Sequence, residues 1–425
     1  MSGANENITR LTDHLFRTEA GKLVAILTKI FGTANLETAE DVVQETLLHA
    51  LNVWKLKGVP DNPSAWLFRV AKNKAIDVVR RNKHSVNFDF EGPKKILLKS
   101  EYTIVNAMEN LLSEETIEDD LLGMMFACCH PEISAENQIT IILKTLCGFS
   151  TSEISRAFLT SDDVVSKRLY RTKEFFRQNK IELEIPEGEQ LNTRIGAVLN
   201  SIYLLFSEGY NSTHSEQLIR TELMEQALML CKLLTENKHT QRPESFALMA
   251  LMCFHHSRTE SRLTAEGEII LLAKQDRTLW NQNSISLGNE YMDKAAFGEI
   301  ISTYHLEAAI AFEHCTSESF EKTNWQRIHD YYEWLLKIQP TSIVRLNKAA
   351  VVLWLRGAKE AIAEIESIND KKLESYYLFH SLHGEILSQL GNQSQAIASY
   401  RKAFALTNSA KEKNLIQQKM GMLEN

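Results

Sequence analysis

The chain has 425 residues, 44% apolar and 24% charged, with a formal net charge of −8. That composition excludes a disordered or fibrous chain, and the negative balance argues against a protein that coats nucleic acid over its whole surface. Its 7 Pro and 17 Gly are about half of average usage, which is roughly 12% together, so long helices are expected and hairpins are not. The first predicted helix covers 11–31, with Leu11, Leu15, Leu23, Ile26, Leu27 and Ile30 at helical spacing and Gly32 ending it. A second runs from about Glu37 to Trp54. Val42, Val43, Leu47, Ala50, Leu51 and Trp54 form its apolar stripe, and Asp41, Gln44, Glu45 and His49 lie off it.

The third helix opens at Asn62, a good N-cap, with Pro63 in the first helical position. At 100° per residue, Arg69, Lys72, Asn73, Arg80 and Lys83 share an arc about 100° wide, while Leu67, Ala71, Lys74 and Val78 point elsewhere. Trp66 flanks the arc. Residues 63–83 carry six basic residues against Asp77 alone, net +5. Charge for phosphate, an amide for base edges and a ring for stacking suit a nucleic-acid-binding helix. A solvated helix face is the plainer alternative. Residues 84–118, with Gly92-Pro93, read as a tether, and 109–120 hold six acids and no base.

Ser150-Thr151-Ser152-Glu153 is a capping box, and Thr160-Ser161-Asp162-Asp163 is a similar helix start ten residues on. That spacing predicts a helix-turn-helix. Ile154, Ala157 and Phe158 face Val165, Leu169 and Phe176, and the second helix turns Asp163, Ser166, Lys167, Tyr170, Arg171 and Glu174 outward. Residues 164–180 are again net +5, six basic residues against Glu174. A short hairpin inside a helical bundle is the alternative.

Residues 191–425 are nearly balanced, 24 Lys and Arg against 27 Asp and Glu, with continuous helical patterns. Gly357 and Gly391 lie 34 apart, and Ala361-Ile362-Ala363 recurs 35 later as Ala396-Ile397-Ala398. Gly384, Ala396, Tyr400 and Ala403 fit the small and aromatic positions of a tetratricopeptide (TPR) repeat. No apolar run approaches the roughly 18 residues of a membrane helix, and the opening MSGANENITR has no hydrophobic signal. The six cysteines (128, 129, 147, 231, 253, 315) form no CxxC pair and lie in apolar stretches, so reduced buried thiols in a cytoplasmic protein are expected. Cys128 and Cys129 are adjacent on a helix and point about 100° apart, which reads as a buried pair and not a metal site.

Three segments carry a family resemblance. AEDVVQETLLHALNVW (39–54), SAWLFRVAKNKAIDVVRR (64–81) and CGFSTSEISRAFLTSDDVVSKRLYRTKEFFR (147–177) resemble regions 2.2, 2.4 and 4.2 of sigma-70 factors of the extracytoplasmic function (ECF) group. Val164 stands where that group usually has a threonine. NSIYLLFSEGYNST (200–213) and AEGEIILLAKQDRTLWN (265–281) are similar to the TPR-like C-terminal extension of one ECF subgroup, as are YHLEAAIAFEHC (304–315), TNWQRIHDYYEWL (323–335) and VRLNKAAVVLWLRG (344–357).

The resemblance implies an all-α chain: sigma region 2 over 1–83, a linker over 84–118, region 4 over 119–185 and the helical extension over 186–425. It implies binding to RNA polymerase core, through the β′ coiled-coil and the β flap, and to promoter DNA, with no membrane partner. Asp41, Gln44, Glu45, Leu48 and Trp54 are its expected polymerase contacts. Trp66, Arg69, Lys72, Asn73 and Arg80 are expected at the −10 element. Ser161, Asp163, Ser166, Lys167, Arg168, Tyr170, Arg171 and Lys173 are expected at the −35 element. The extension is expected to replace a separate anti-sigma factor. Within it, Glu208, Asp276, Arg277 and Trp280 form either a regulatory site, Asp276 and Arg277 gripping a charged group or the sigma core, or a structural network that fixes packing. A TPR-type scaffold or ligand sensor docking on polymerase is the second reading. No catalytic residue, cofactor or metal site is expected, since no nucleophile–base pair, phosphate loop or metal-ligand spacing occurs.

Overall fold

The computed structural model describes residues 2–82, 114–158, 160–179, 181–211 and 218–424. Lys83 and most of the expected linker lie outside them. The described residues are helices and their connections, with one isolated antiparallel bridge between Leu263 and Ile269. None of these helices is long and apolar enough to cross a membrane. The chain forms two compact units: residues 1–205 with 236–240, and residues 206–235 with 241–425. The first unit therefore continues past the expected end at 185.

The N-terminal unit is built around α1 (Ser2–Phe31), which starts nine residues before the first apolar residue of its sequence pattern. Leu23, Val24, Ala25, Ile26 and Leu27 are all buried in succession. A helix buried on every side must be wrapped by others, and α1 packs against α2 (Leu36–Lys57), α3 (Pro63–Asn82), α4 (Glu114–Cys128) and α5 (Ala135–Thr145). Gly21 makes this possible. A β-carbon there would lie 2.1 Å from the Leu146 carbonyl oxygen, so only glycine lets α1 approach the end of α5 this closely.

On α3, Leu67, Ala71, Ala75 and Val79 recur every fourth residue and are buried, which leaves the opposite face to solvent. Two further helices follow. The short α6 (Thr151–Ala157) turns into α7 (Asp162–Asn179), and α8 (Gly188–Tyr210) leads out of the unit. All six cysteines are buried free thiols, Cys128 and Cys129 among them.

The C-terminal unit is centred on α10 (Pro243–Ser257), where Ala247 to Phe254 are buried without a break. It is flanked by α9 (Thr221–Glu236), α11 (Gln282–Ala295) and α12 (Thr303–Thr316). The chain continues as α13 (Trp325–Ile338), then two helix pairs, α14 (Ser342–Arg356) with α15 (Ala358–Glu366), and α16 (Tyr377–Gln389) with α17 (Gln393–Leu406), closed by α18 (Ala410–Glu424). The sequence repeat is a structural one. Gly357 and Gly391 turn the two pairs, and Ala361 and Ala396 are fully buried at equivalent places. A β-carbon on Gly384 would sit 2.9 Å from the Tyr400 ring, so the second pair closes only over a residue without a side chain. The Tyr400 hydroxyl donates to Glu385, whose carboxylate also pairs with Lys419 on α18 at 2.7 Å.

Candidate nucleic-acid interface

Three helix faces of the N-terminal unit carry the expected contacts. On α2, Asp41, Gln44 and Glu45 are exposed and Leu48 is 60% exposed, so four of the five expected polymerase contacts lie on one accessible face. Trp54 does not. It is 7% exposed, with its ring 5.5 Å from Phe16 and 5.4 Å from Trp66. It belongs to the apolar stripe of α2, and the core claims it. Glu45 forms an ion pair with Lys74 of α3 at 2.8 Å, and the ammonium holds its carboxyl below the usual range.

On α3, Asn62 caps the helix by accepting from the Ala65 amide at 2.9 Å. Arg69 and Asn73 are exposed, Lys72 is half-buried, and Arg80 is exposed and 3.5 Å from Asp77. Trp66 differs from expectation. It is half-buried, stacked on His49 at 5.7 Å and tilted against Trp54, so it walls the α2–α3 junction and is no free stacking platform.

The α6–turn–α7 segment follows its sequence signals closely. Ser150 accepts from the Glu153 amide, and the Glu153 carboxylate accepts from the Ser150 amide at 2.8 Å, a reciprocal capping box. The Ser161 hydroxyl accepts from Val164 at the start of α7, and the Ser155 hydroxyl donates to Asp162. Ile154, Val165, Leu169, Thr172 and Phe176 are buried. Phe158 is half-buried, Leu159 and Lys180 lie outside the described residues, and Ala157 is described only as backbone. Ser161, Asp163, Ser166, Lys167 and Arg171 are exposed, Tyr170 is 65% exposed, and Arg168 is half-buried. Lys173 departs from this face. Its ammonium lies 2.5 Å from Glu40 of α2, and both side chains are largely buried. One turn on, Arg177 reaches Glu37 at 3.0 Å and Glu174 at 2.7 Å. The Thr33 hydroxyl donates to the Ile181 carbonyl at 2.6 Å. The second half of α7 is thus tied to α2, and only its first half is free to meet a ligand.

In the C-terminal unit Arg277 and Trp280 lie together, whereas Asp276 turns to a different partner. Glu208 is half-buried on α8. Asp276 is exposed and accepts from the Thr278 amide and hydroxyl at 2.9 and 2.7 Å, which lowers its carboxyl pKa. Asp276 caps a turn and does not pair with Arg277. Arg277 instead donates to the His314 and Ser317 carbonyls at the end of α12 and lies 4.5 Å over Trp280, which is 3% exposed. Two residues that the sequence reading missed complete this region. Arg258, only 8% exposed, donates to the Tyr210 hydroxyl at 2.7 Å. Arg262 donates to the Tyr210 carbonyl and lies 3.7 Å over its ring. Cations at helix C-termini meet the partial negative charge of the last carbonyls. The signal was present as two arginines one helical turn apart just beyond α10.

Residues 15–85 match the family model of sigma-70 region 2, and residues 194–296 match a family of unknown function, DUF6596. The α2 and α3 faces lie in the first segment, and Tyr210, Arg258, Arg262, Arg277 and Trp280 in the second. The N-terminal unit thus carries the region that defines the sigma-70 class of transcription initiation factors, which bind core polymerase and promoter DNA. Over 389 residues the chain is 33% identical to the uncharacterized protein R00370 of Rhizobium meliloti (strain 1021), covering 92% of this chain and 90% of that protein, and it belongs to the same family.

Proposed function

We propose that this chain is an ECF-type RNA polymerase sigma factor whose own C-terminal helical unit controls its activity. The observation that carries this reading is the division of labour on α7: Val165, Leu169, Thr172 and Phe176 go to the core, while Ser166, Lys167, Tyr170 and Arg171 stay outside. Such a helix, following a capped short helix and a tight turn, fits the DNA major groove with its first two turns. Lys167 and Arg171 supply phosphate or guanine contacts, and Ser161, Asp163 and Ser166 reach the rim. Arg69, Lys72 and Asn73 on α3 receive the −10 strand, whose flipped bases cost a few kcal/mol offset by stacking and hydrogen bonds. Asp41, Gln44, Glu45 and Leu48 dock on the β′ coiled-coil, and region 4 on the β flap.

The two readers cannot act in the arrangement described. Elements at −10 and −35 are 25 base pairs apart, about 80 Å at roughly 35 Å per helical turn. Both α3 and α7 pack on α2, and helices sharing a neighbour lie only about 20 Å apart at their nearest. Core polymerase therefore has to separate them, breaking Lys173–Glu40 and Arg177–Glu37. The C-terminal unit, with its TPR-like helix pairs, sets how readily that happens, and it takes the place of a separate anti-sigma factor in the cytoplasm. Run-off transcription with cognate core polymerase tests the proposal. The full chain yields promoter-specific transcripts and Lys167→Ala with Arg171→Ala loses most of them. Polymerase binding without any promoter-specific transcript would favour a scaffold or sensor instead.

A further inference from the structure

The arginines of the C-terminal unit present an imbalance. Arg258, Arg262 and Arg277 bring three positive charges into one partly dry region, and among the described residues no carboxylate forms an ion pair with any of them. Their hydrogen-bond partners are neutral: the Tyr210 hydroxyl and carbonyl, His255 Nδ1 at 3.4 Å from Arg258, and the His314 and Ser317 carbonyls. The Glu321 carboxylate acts on Arg277 through its charge without forming an ion pair, and no acid does so for Arg258 among the described residues. The histidines cannot share the charge. Loss of hydration and the neighbouring arginines push His255 well below its ordinary value and His314 to about 3. Four buried nitrogens are left with no hydrogen-bond partner: Arg258 Nε, Arg277 Nη2, Trp280 Nε1 and His314 Nδ1.

These four belong to one place. The Arg258 and Arg277 guanidinium carbons lie 5.8 and 4.5 Å from the Trp280 ring centre, and His314 lies in the field of both arginines. The carbonyls ending α8 and α12 account for Arg262 and for one nitrogen of Arg277. They do not account for Arg258, which is buried against a phenol and an imidazole. A guanidinium removed from water without a counter-charge is strongly unfavourable, and satisfied buried nitrogens are the rule in folded proteins.

We propose that Arg258, Arg277, Trp280 and His314 form a binding site for the phosphate group of a small molecule. Two guanidinium groups and an indole N–H approach from different elements, which suits a tetrahedral oxyanion with several acceptor oxygens and a double negative charge. Inorganic phosphate and a phosphate monoester share this chemistry. The inference stands on the cluster alone and holds independently of how the N-terminal unit acts.

The test uses the full-length protein and inorganic phosphate as probe, titrated calorimetrically at fixed ionic strength with chloride as the balancing ion. Saturable binding is expected with a dissociation constant at or below about 1 mM. Arg258→Met weakens it at least tenfold. Without phosphate, Arg258→Met melts at or above the wild-type temperature, because an uncompensated buried charge has been replaced by an apolar chain of similar length. Trp280→Phe removes one donor at small change in volume and weakens binding about threefold or more with little change in melting temperature. A nucleoside monophosphate and a sugar phosphate form the second arm: tighter binding than inorganic phosphate assigns the site to an ester, equal or weaker binding assigns it to the free ion. Absence of saturable binding in the wild type, or equal binding by Arg258→Met, overturns the proposal. So does a loss of folding in Arg258→Met, since that makes the arginine structural.

Discussion

The two units use basic residues in opposite ways. On α7 the cations are exposed at Lys167 and Arg171 or matched by acids at Lys173 and Arg177. In the C-terminal unit Arg258 is buried beside neutral groups. Exposed and paired charges can be exchanged for those of a long polyanion or of another protein surface at little cost, because water or an acid already compensates them. A buried guanidinium has no such exchange, so its environment selects one compact ligand. In the proposed reading, α7 is a surface that changes partners and the Arg258 cluster is a site that keeps one.

The strongest way to break the comparison is through packing, which could hold the N-terminal unit closed without its ion pairs. Gly21→Ala drives a methyl into the Leu146 carbonyl. A loss of about 3 kcal/mol is expected in that unit's unfolding step alone, read by calorimetry. If the step is unmoved, α1 and α5 are not fixed against one another.

Lys173→Glu sets two carboxylates against each other where Lys173 now meets Glu40. Removing one partner from a mostly buried pair is expected to cost about 2–3 kcal/mol in denaturant unfolding. Glu40→Lys in the same chain should restore much of it. A double variant no better than the single one would mean the pair contributes through geometry and not charge.

The C-terminal unit predicts a pH dependence of its own. His314 is held at about 3 in the folded chain and His255 well below its ordinary value, while both recover a pKa near 6.5 on unfolding. Between about pH 6.5 and 3 the unfolded chain binds more protons, so stability falls as pH falls. The expected slope is roughly 1 kcal/mol per pH unit for each histidine. His314→Asn should reduce the slope, which urea titrations at a series of pH values measure.

The smallest effects belong to the exposed face. Lys167→Ala and Arg171→Ala should each change stability by less than about 0.5 kcal/mol. Loss of a base contact lowers discrimination between promoters by about 1–3 kcal/mol, whereas loss of a phosphate contact weakens all promoters alike and reduces the salt dependence. Unchanged transcription in both would place the reading face elsewhere on α7.

Much of this was legible in the chain itself. Helical spacing locates the buried stripes of α2 and α7, and the capping box at Ser150 marks the start of α6. Those signals are local and act within one or two turns. What spacing could not show was long-range. The resemblance offers Lys173 to the −35 element, but its partner Glu40 is 133 residues away. Trp66 looks available beside its basic arc until it is found against His49 and Trp54. Arg258 and Arg262 stand one turn apart in the sequence, but spacing does not show that Arg258 meets a phenol and an imidazole in place of an acid. Asp276 and Arg277 are adjacent in sequence, yet each bonds to something else.

In the proposed reading the N-terminal unit is closed when free and opened by polymerase. It is tested most directly by a distance between α3 and α7 in the full-length chain, using spin labels at Asp77→Cys and Gln178→Cys, two exposed positions that are not among the expected DNA contacts. All six native cysteines are buried, so labelling is selective. A separation below about 40 Å is expected in the free protein, rising to about 80 Å with core polymerase and promoter. A separation that stays short in the transcribing complex, or is already long in the free chain, would contradict it.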